Sequence, residues 1–511
     1  MLLAVWNLRQ WPAANQPVVV GPPLASLLAS STDLGPATGQ VHLTAALHDT
    51  RRPEALMAWA GDNGLSVRWR PGDDWAIIEG APTAVAGTFG VSVHDYRGRR
   101  GQVFYASPQQ PSVPASVKGE VSGLGRILGY TPHHMARPPI PPRREGLTPA
   151  ELLTAYNAGR LASTGFTGKG ATIVFFEFDG YDQDDLDAFS DLSELPRFTP
   201  TLVGGQPGKS TGEAVMDLEV AHAIAPDAHL VVVNAVPTLQ GDGNFEKIGR
   251  MFEDTDRQFP GAVWSLSIGW ACDKLLTAAD LAPVRAALAK AQTRGTSAFV
   301  ATGDNAGLQC KGGDDWSSPP GPSDVGLDAI SSLPEMTAVG GTALSLDGSG
   351  MWLAEQAWFN SPLSIGSSGG VSALFGRPDW QHTVSVSRDA THRVSPDVSA
   401  AADPLTGARI VFDQQVLIGG GTSQAAPIWA ALAALMNQYL IANGGRALGA
   451  LNPMLYRIAA GATRPGFRDV SLGANAVDTA TPGYDLVTGL GPPNIDNLVR
   501  NLLDIQRAGN E

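Results

Sequence analysis

Four short runs of almost unbroken apolar residues recur between residues 170 and 304: "GATIVFFEFDG", "AHLVVVNAV", "AVWSLSIGW" and "GTSAFVATGD". Helical stretches such as "EAVMDLEVAHAIA" and "DLAPVRAALAKAQTRG" separate most of them. A strand apolar on both faces must be covered on both faces, and strands alternating with helices are the mark of a parallel sheet between helical layers. The fold class expected is therefore α/β. In such sheets the functional site lies beyond the carboxyl ends of the strands, so residues that follow a strand carry the chemistry.

The stretch "IGGGTSQAAPIWAALAALM" places Ser423 after a glycine-rich turn and at the head of an apolar helix. Small residues allow close approach, Pro427 is expected in the first turn, and the helix N-terminus favours developing negative charge. A nucleophile fits, and so does a helix-capping serine. The helix "GEAVMDLEVAHAIAP" offers acids for the proton. Glu213 and Asp217 share one face, which continues as Val220, Ala221 and Ile224. Two acids heading a buried stripe disfavour each other's ionisation, whereas the helix N-terminus favours it. The same pair also suits an exposed acidic helix start. His222 points to another face and reads as a satisfied or exposed histidine, and Glu219 as a solvated charge. Asp304, after a strand and a glycine, is either a turn aspartate or a donor to an oxyanion.

Around this core the chain changes texture. Residues 40–130 read as a small α+β domain: strands in "VHLTAALHD" and "DDWAIIEG", a helix in "RPEALMAWAGDNG" and a hairpin in "SVHDYRGRRGQVFYAS". Residues 131–146, "TPHHMARPPIPPRREG", are proline-rich and basic, and read as an exposed, extended linker. A length of 511 residues suits two or three domains, and a net charge of −14 argues against a nucleic-acid partner. No apolar run reaches about 18 residues, so no membrane span is expected, and the first residues lack the basic start of a secretory signal. The two cysteines lack metal-site spacing.

Taken together, "GGTSQAAP", "GEAVMDLEVAHAIAP" and "ATGDNAG" resemble the Gly-Thr-Ser-x-x-x-Pro, Glu-x-x-x-Asp and Gly-Asp motifs of the sedolisins, or serine-carboxyl peptidases, in particular the kumamolisin branch. "TAVGGT", "SSGGVSALFGRPDWQ" and "VSPDVSAAADPLTG" are similar to further blocks of that family, in order over some 300 residues. The resemblance implies a subtilisin-like parallel sheet flanked by helices (residues 147–511), preceded by a small α+β prodomain (1–130, ordered core about 40–130) and a cleavable linker (131–146). It implies an acid-active, secreted endopeptidase made as a self-processing zymogen. Ser423 would be the nucleophile, Glu213 the base, Asp217 its partner, Asp304 the oxyanion donor and Glu177 a supporting member of the network. Ile268 stands where kumamolisins have a tryptophan. One structural Ca2+ would be held by Asp469, Val470, Thr481, Gly483 and Asp485, with Thr481 in place of a family glycine; these are the oxygen ligands calcium takes. A Cys272–Cys310 disulfide is implied too. Expected partners are protein and peptide substrates and the chain's own prodomain as intramolecular inhibitor, with no nucleic acid, no membrane and a monomeric state. Alternatives from other classes are an inactive relative that binds peptides or cell-wall material, and a histidine-based subtilisin using His222. Asp328 is a candidate wall of the specificity pocket.

Overall fold

The computed structural model describes residues 17–134, 146–311, 321–361, 365–386 and 390–508. They form two compact units, one of Met1–Tyr130 with Gly241–Gly243 and Leu276–Pro283, the other of the remaining residues.

The first unit is built on a four-stranded antiparallel sheet, ordered Ser66–Arg68, Trp75–Gly80, Val41–Leu47, Val121–Leu124. Val41, Leu43, Ala45 and Leu47 alternate inward, as the period of two requires, onto a core shared with Leu56 and Ala60 of one helix and Val85 and Phe89 of another. The expected hairpin pairs His94–Arg97 with Val103–Ala106. Order starts well before residue 40: a helix at Leu24–Ala29 and a strand at Thr32–Pro36, paired to His94–Arg97, precede it.

The second unit carries the expected sheet. Its strands are β1 (Thr172–Glu177), β2 (Thr201–Val203), β3 (His229–Asn234), β4 (Val263–Leu266), β5 (Ser297–Ala301), β6 (Thr337–Leu346), β7 (Trp352–Ala357) and β8 (Val398–Ala401). They run in the order β2-β3-β1-β4-β5-β6-β7, with β8 also paired to β6. All neighbours are parallel except β7. Helices α1 (Gln183–Leu192), α2 (Glu213–Ile224) and α3 (Thr422–Ala442) follow in the chain, and a hairpin of β9 (Arg409–Phe412) and β10 (Gln415–Ile418) leads into α3. Helix α3 packs on α2 and on β4, β5, β6 and β8. By length and composition it is apolar enough to cross a membrane, yet it is the core helix here, buried without a break from Thr422 through Asn437. Helix α2 is buried on every side.

That burial corrects the reading of Glu219 as a solvated charge. The β9–β10 hairpin covers this face of α2, and Glu219 accepts the Val411 N–H at 2.7 Å. The linker also departs from expectation at its start. Thr131 is buried, and His133–His134 pair antiparallel with Gly269–Trp270, just past β4. Residues 135–145 of the linker lie outside the described residues.

Candidate active site

The turn Gly419–Gly421 delivers Ser423 to the carboxyl edge of the sheet. Gly421 has φ 88°, and an added Cβ there would lie 2.7 Å from Asp304 Oδ2, so only glycine brings the two loops this close. Pro427 is not in the first turn, as expected, but in the second. Its missing N–H would have bonded the carbonyl four residues back, which is that of Ser423. That freed carbonyl lies 3.2 Å from the Ser267 hydroxyl. The same hydroxyl is 2.6 Å from Asp217 Oδ2, and Ser423 Oγ is 3.3 Å from the Ser267 carbonyl. Ser267, which sequence reasoning passed over, thus joins the serine helix to the acid helix.

Glu177, Glu213 and Asp217 converge from the end of β1 and the first turns of α2, all buried. Burial pushes all three well above the usual carboxylate range, and their mutual repulsion adds to it. Glu177 and Asp217 share a hydrogen bond, and the Ser423 hydroxyl is the hydrogen-bonding neighbour that favours the ionised form of Glu213. The competition between burial and helix terminus, open in the sequence, goes to burial. Acids coupled this closely titrate as a set rather than singly.

Asp304 follows β5. Its Oδ1 accepts the N–H (2.8 Å) and hydroxyl (2.9 Å) of Thr422, next to Ser423, and its Oδ2 faces Gly421. His222 is engaged elsewhere. Its Nε2 meets the Pro196 carbonyl at 2.7 Å, its ring stacks on Phe198, and burial pushes its pKa down to about 4. The Trp270 indole packs among Phe178, Phe245 and His133. Asp328, the candidate pocket wall, is buried, accepts the N–H groups of Trp270 and Ser331, and is pushed up to about 8 by burial.

Cys272 and Cys310 are disulfide-bonded. Near the C-terminus the residues considered for calcium meet in one loop cluster. Gly483 N–H donates to Asp469 at 3.0 Å and Thr481 N–H to Asp485 at 3.4 Å. Burial pushes Asp485 up to about 6, and the groups acting most strongly on it are neutral donors with no cation among them. Asp469 and Asp485 are carboxylates of the kind a hard divalent ion takes as ligands.

A serine heading a buried helix at the carboxyl edge of a mainly parallel sheet fits a subtilisin-like serine peptidase. Residues 201–448 match the family model described as Peptidase_S8, the subtilase family. The chain is 30% identical over 465 residues to kumamolisin of Bacillus sp. (strain MN-32), covering 84% of this chain and 78% of that protein. It is 26% identical over 479 residues to sedolisin of Pseudomonas sp. (strain 101), covering 87% and 78%. Among solved structures, Pseudomonas sedolisin (serine-carboxyl proteinase) complexed with two molecules of pseudo-iodotyrostatin superposes with a TM-score of 0.60. That likeness, at 24% identity over 70% of this chain and 98% of that one, shows the shared fold. The chain belongs to the sedolisin family of serine-type peptidases, on its kumamolisin-like side.

Proposed function

We propose that this peptidase is an acid-active serine-carboxyl endopeptidase, secreted as a zymogen that processes itself. The observation that carries the reading is the buried acid cluster at Ser423, with His222 committed to the Pro196 carbonyl. Ser423 Oγ attacks the scissile carbonyl carbon and Glu213 takes its proton. As the tetrahedral intermediate collapses, Glu213 returns that proton to the leaving amine, and water then releases the acyl group by the reverse sequence. Asp217 and Glu177 hold Glu213 and share the cluster's proton. Asp304, when protonated, donates to the oxyanion; ionised, it repels that charge, which makes the activity acidic. Asp469, Asp485 and the carbonyls of Val470, Thr481 and Gly483 would hold one calcium ion, whose contribution is to neutralise the buried Asp485 carboxylate and brace the C-terminal loops. The proline-rich, basic composition of residues 131–146 supports the linker as the segment cut in maturation.

The test is hydrolysis of an N-terminally blocked, unfolded protein between pH 3 and 8, by the full chain and by Ser423→Ala. Internal cleavage with an optimum below about pH 6 is expected, with the serine variant inert and full length in acid. An optimum above about pH 7, or maturation of purified Ser423→Ala at the normal rate, refutes the reading. Cleavage of an unblocked copy of the same protein with none of the blocked one would refute the endopeptidase part.

A further inference from the structure

Helix α2 is preceded by the capping residue Gly212, φ 108°, which has no side chain to satisfy the first-turn N–H groups. Those groups are met from another element. Asp179, two residues past the end of β1 and 4% exposed, reaches across to them. Its Oδ2 accepts the Thr211 N–H at 2.8 Å, the Thr211 hydroxyl at 2.6 Å and the Glu213 N–H at 3.3 Å, and its Oδ1 accepts the Ala214 N–H at 3.0 Å. All four partners are donors, an environment that suits an acceptor-only carboxylate. One of them is the backbone of Glu213 itself.

We propose that Asp179 is a positioning residue for peptide hydrolysis: its carboxylate, clamped to the head of α2, aims Glu213 at Ser423, and its charge sets the pH window in which the cluster works. This rests on the reading of Glu213 as proton acceptor.

A helix N-terminus ordinarily favours an ionised carboxylate in its first turn. Here the N-terminus is taken up by Asp179, so Glu213 receives the neighbouring negative charge in place of that benefit. The groups that face the cluster are Glu177 from β1, Asp179 beyond it, Glu213 and Asp217 from α2, Asp304 beyond β5, and the hydroxyls of Ser267 and Ser423. Asp179 acts on Glu177, Glu213 and Asp217 in one direction, towards holding protons, and none of the groups acting most strongly on the three is a cation. Removing its charge lets Glu213 ionise at lower pH. The acid limb of the activity profile therefore moves to lower pH, while the alkaline limb is left to Asp304.

The experiment compares kcat/KM against pH for the matured enzyme and for Asp179→Asn, Asp179→Ser and Asp179→Glu, with a melting curve for each. The two neutral variants are expected to shift the acid limb to lower pH by about half to one unit. Asp179→Glu, which keeps the charge on a longer arm, is expected to lower kcat while its limbs stay in place. The serine variant gives the same reading if the asparagine variant misfolds. Neutral variants that lose kcat or melting temperature with an unmoved acid limb reduce Asp179 to a helix cap and overturn the inference. Glu213→Gln, assayed alongside, separates the two failures: if it retains activity, the triad reading falls; if it is inactive while the acid limb stays put, only the role of Asp179 falls.

Discussion

Glu213 and His222 lie on one helix and are treated in opposite ways by their surroundings. The acid is held in a cluster of acids beside Ser423, whereas the histidine is stacked on Phe198 and bonded to a carbonyl. Glu213→Gln is therefore expected to lower kcat by about 10²–10⁴, the usual worth of a positioned general base. His222→Ala is expected to stay within about tenfold while melting at a lower temperature, since it loses a buried ring and a hydrogen bond. Single-turnover rates at the optimum decide it, and a folded, mature His222→Ala with no activity would reverse the assignment. Glu213, Asp217 and Asp304 were legible in the sequence because they open one face of a helix or follow a strand, whereas Glu177 came from the family resemblance alone. Ser267 and Asp179 were not, because each acts through contacts to chain segments far away in sequence. Glu219 was misread for the same reason: its cover comes from residues some 190 positions on, at Val411.

Among the elements, α3 carries a proline where a continuous helix would have a hydrogen bond. Pro427→Ala restores an N–H aimed at the Ser423 carbonyl and so competes with the Ser267 hydroxyl. The variant is expected to melt no lower than the parent, since proline is unfavourable within a helix, yet to lose roughly tenfold in kcat as the serine helix and Asp217 part. Unchanged kcat would show that the Ser267 link is incidental. The parallel strands were readable because apolar runs of this kind have few alternatives once helices intervene. Their order, and the hairpin that seals Glu219, were not, since pairing partners leave no local trace. The hairpin turn is held by Asp185 of α1, which accepts the N–H groups of Asp413 and Gln414 at 3.1 and 2.9 Å.

Over the whole molecule, buried acids dominate the pH dependence of stability. Burial pushes Asp273, Asp280 and Asp485 up to about 6, Glu355 to about 7 and Asp328 to about 8. Unfolded, they titrate near 3.9–4.3. The folded state thus binds more protons above about pH 4, and its stability, fully present below that, is lost as pH rises through 6 to 8. His222 opposes this between about 6.5 and 4, but the raised acids outnumber it. Melting temperature is expected to be highest near pH 4–5 and to fall towards pH 8; a steady rise over that range would contradict it. Chelation at pH 6–7 is expected to lower the melting temperature of the mature form further, because a bound cation stabilises by mass action and favours ionised Asp485. A curve indifferent to chelator would remove the calcium. Asp485→Ala is the poorer probe, since Asp485 also accepts the N–H groups of Val487 and Thr488 and its loss unravels that turn with or without metal. The Cys272–Cys310 bond closes a ring containing β5 and Asp304. A chain synthesised where glutathione keeps thiols reduced would be assembled with that ring open, giving up about 3–4 kcal/mol of stability. The choice of production host then decides whether a purified sample reports on the native enzyme or on a loosened one that has every catalytic atom but not the stitch that tethers the loop around them.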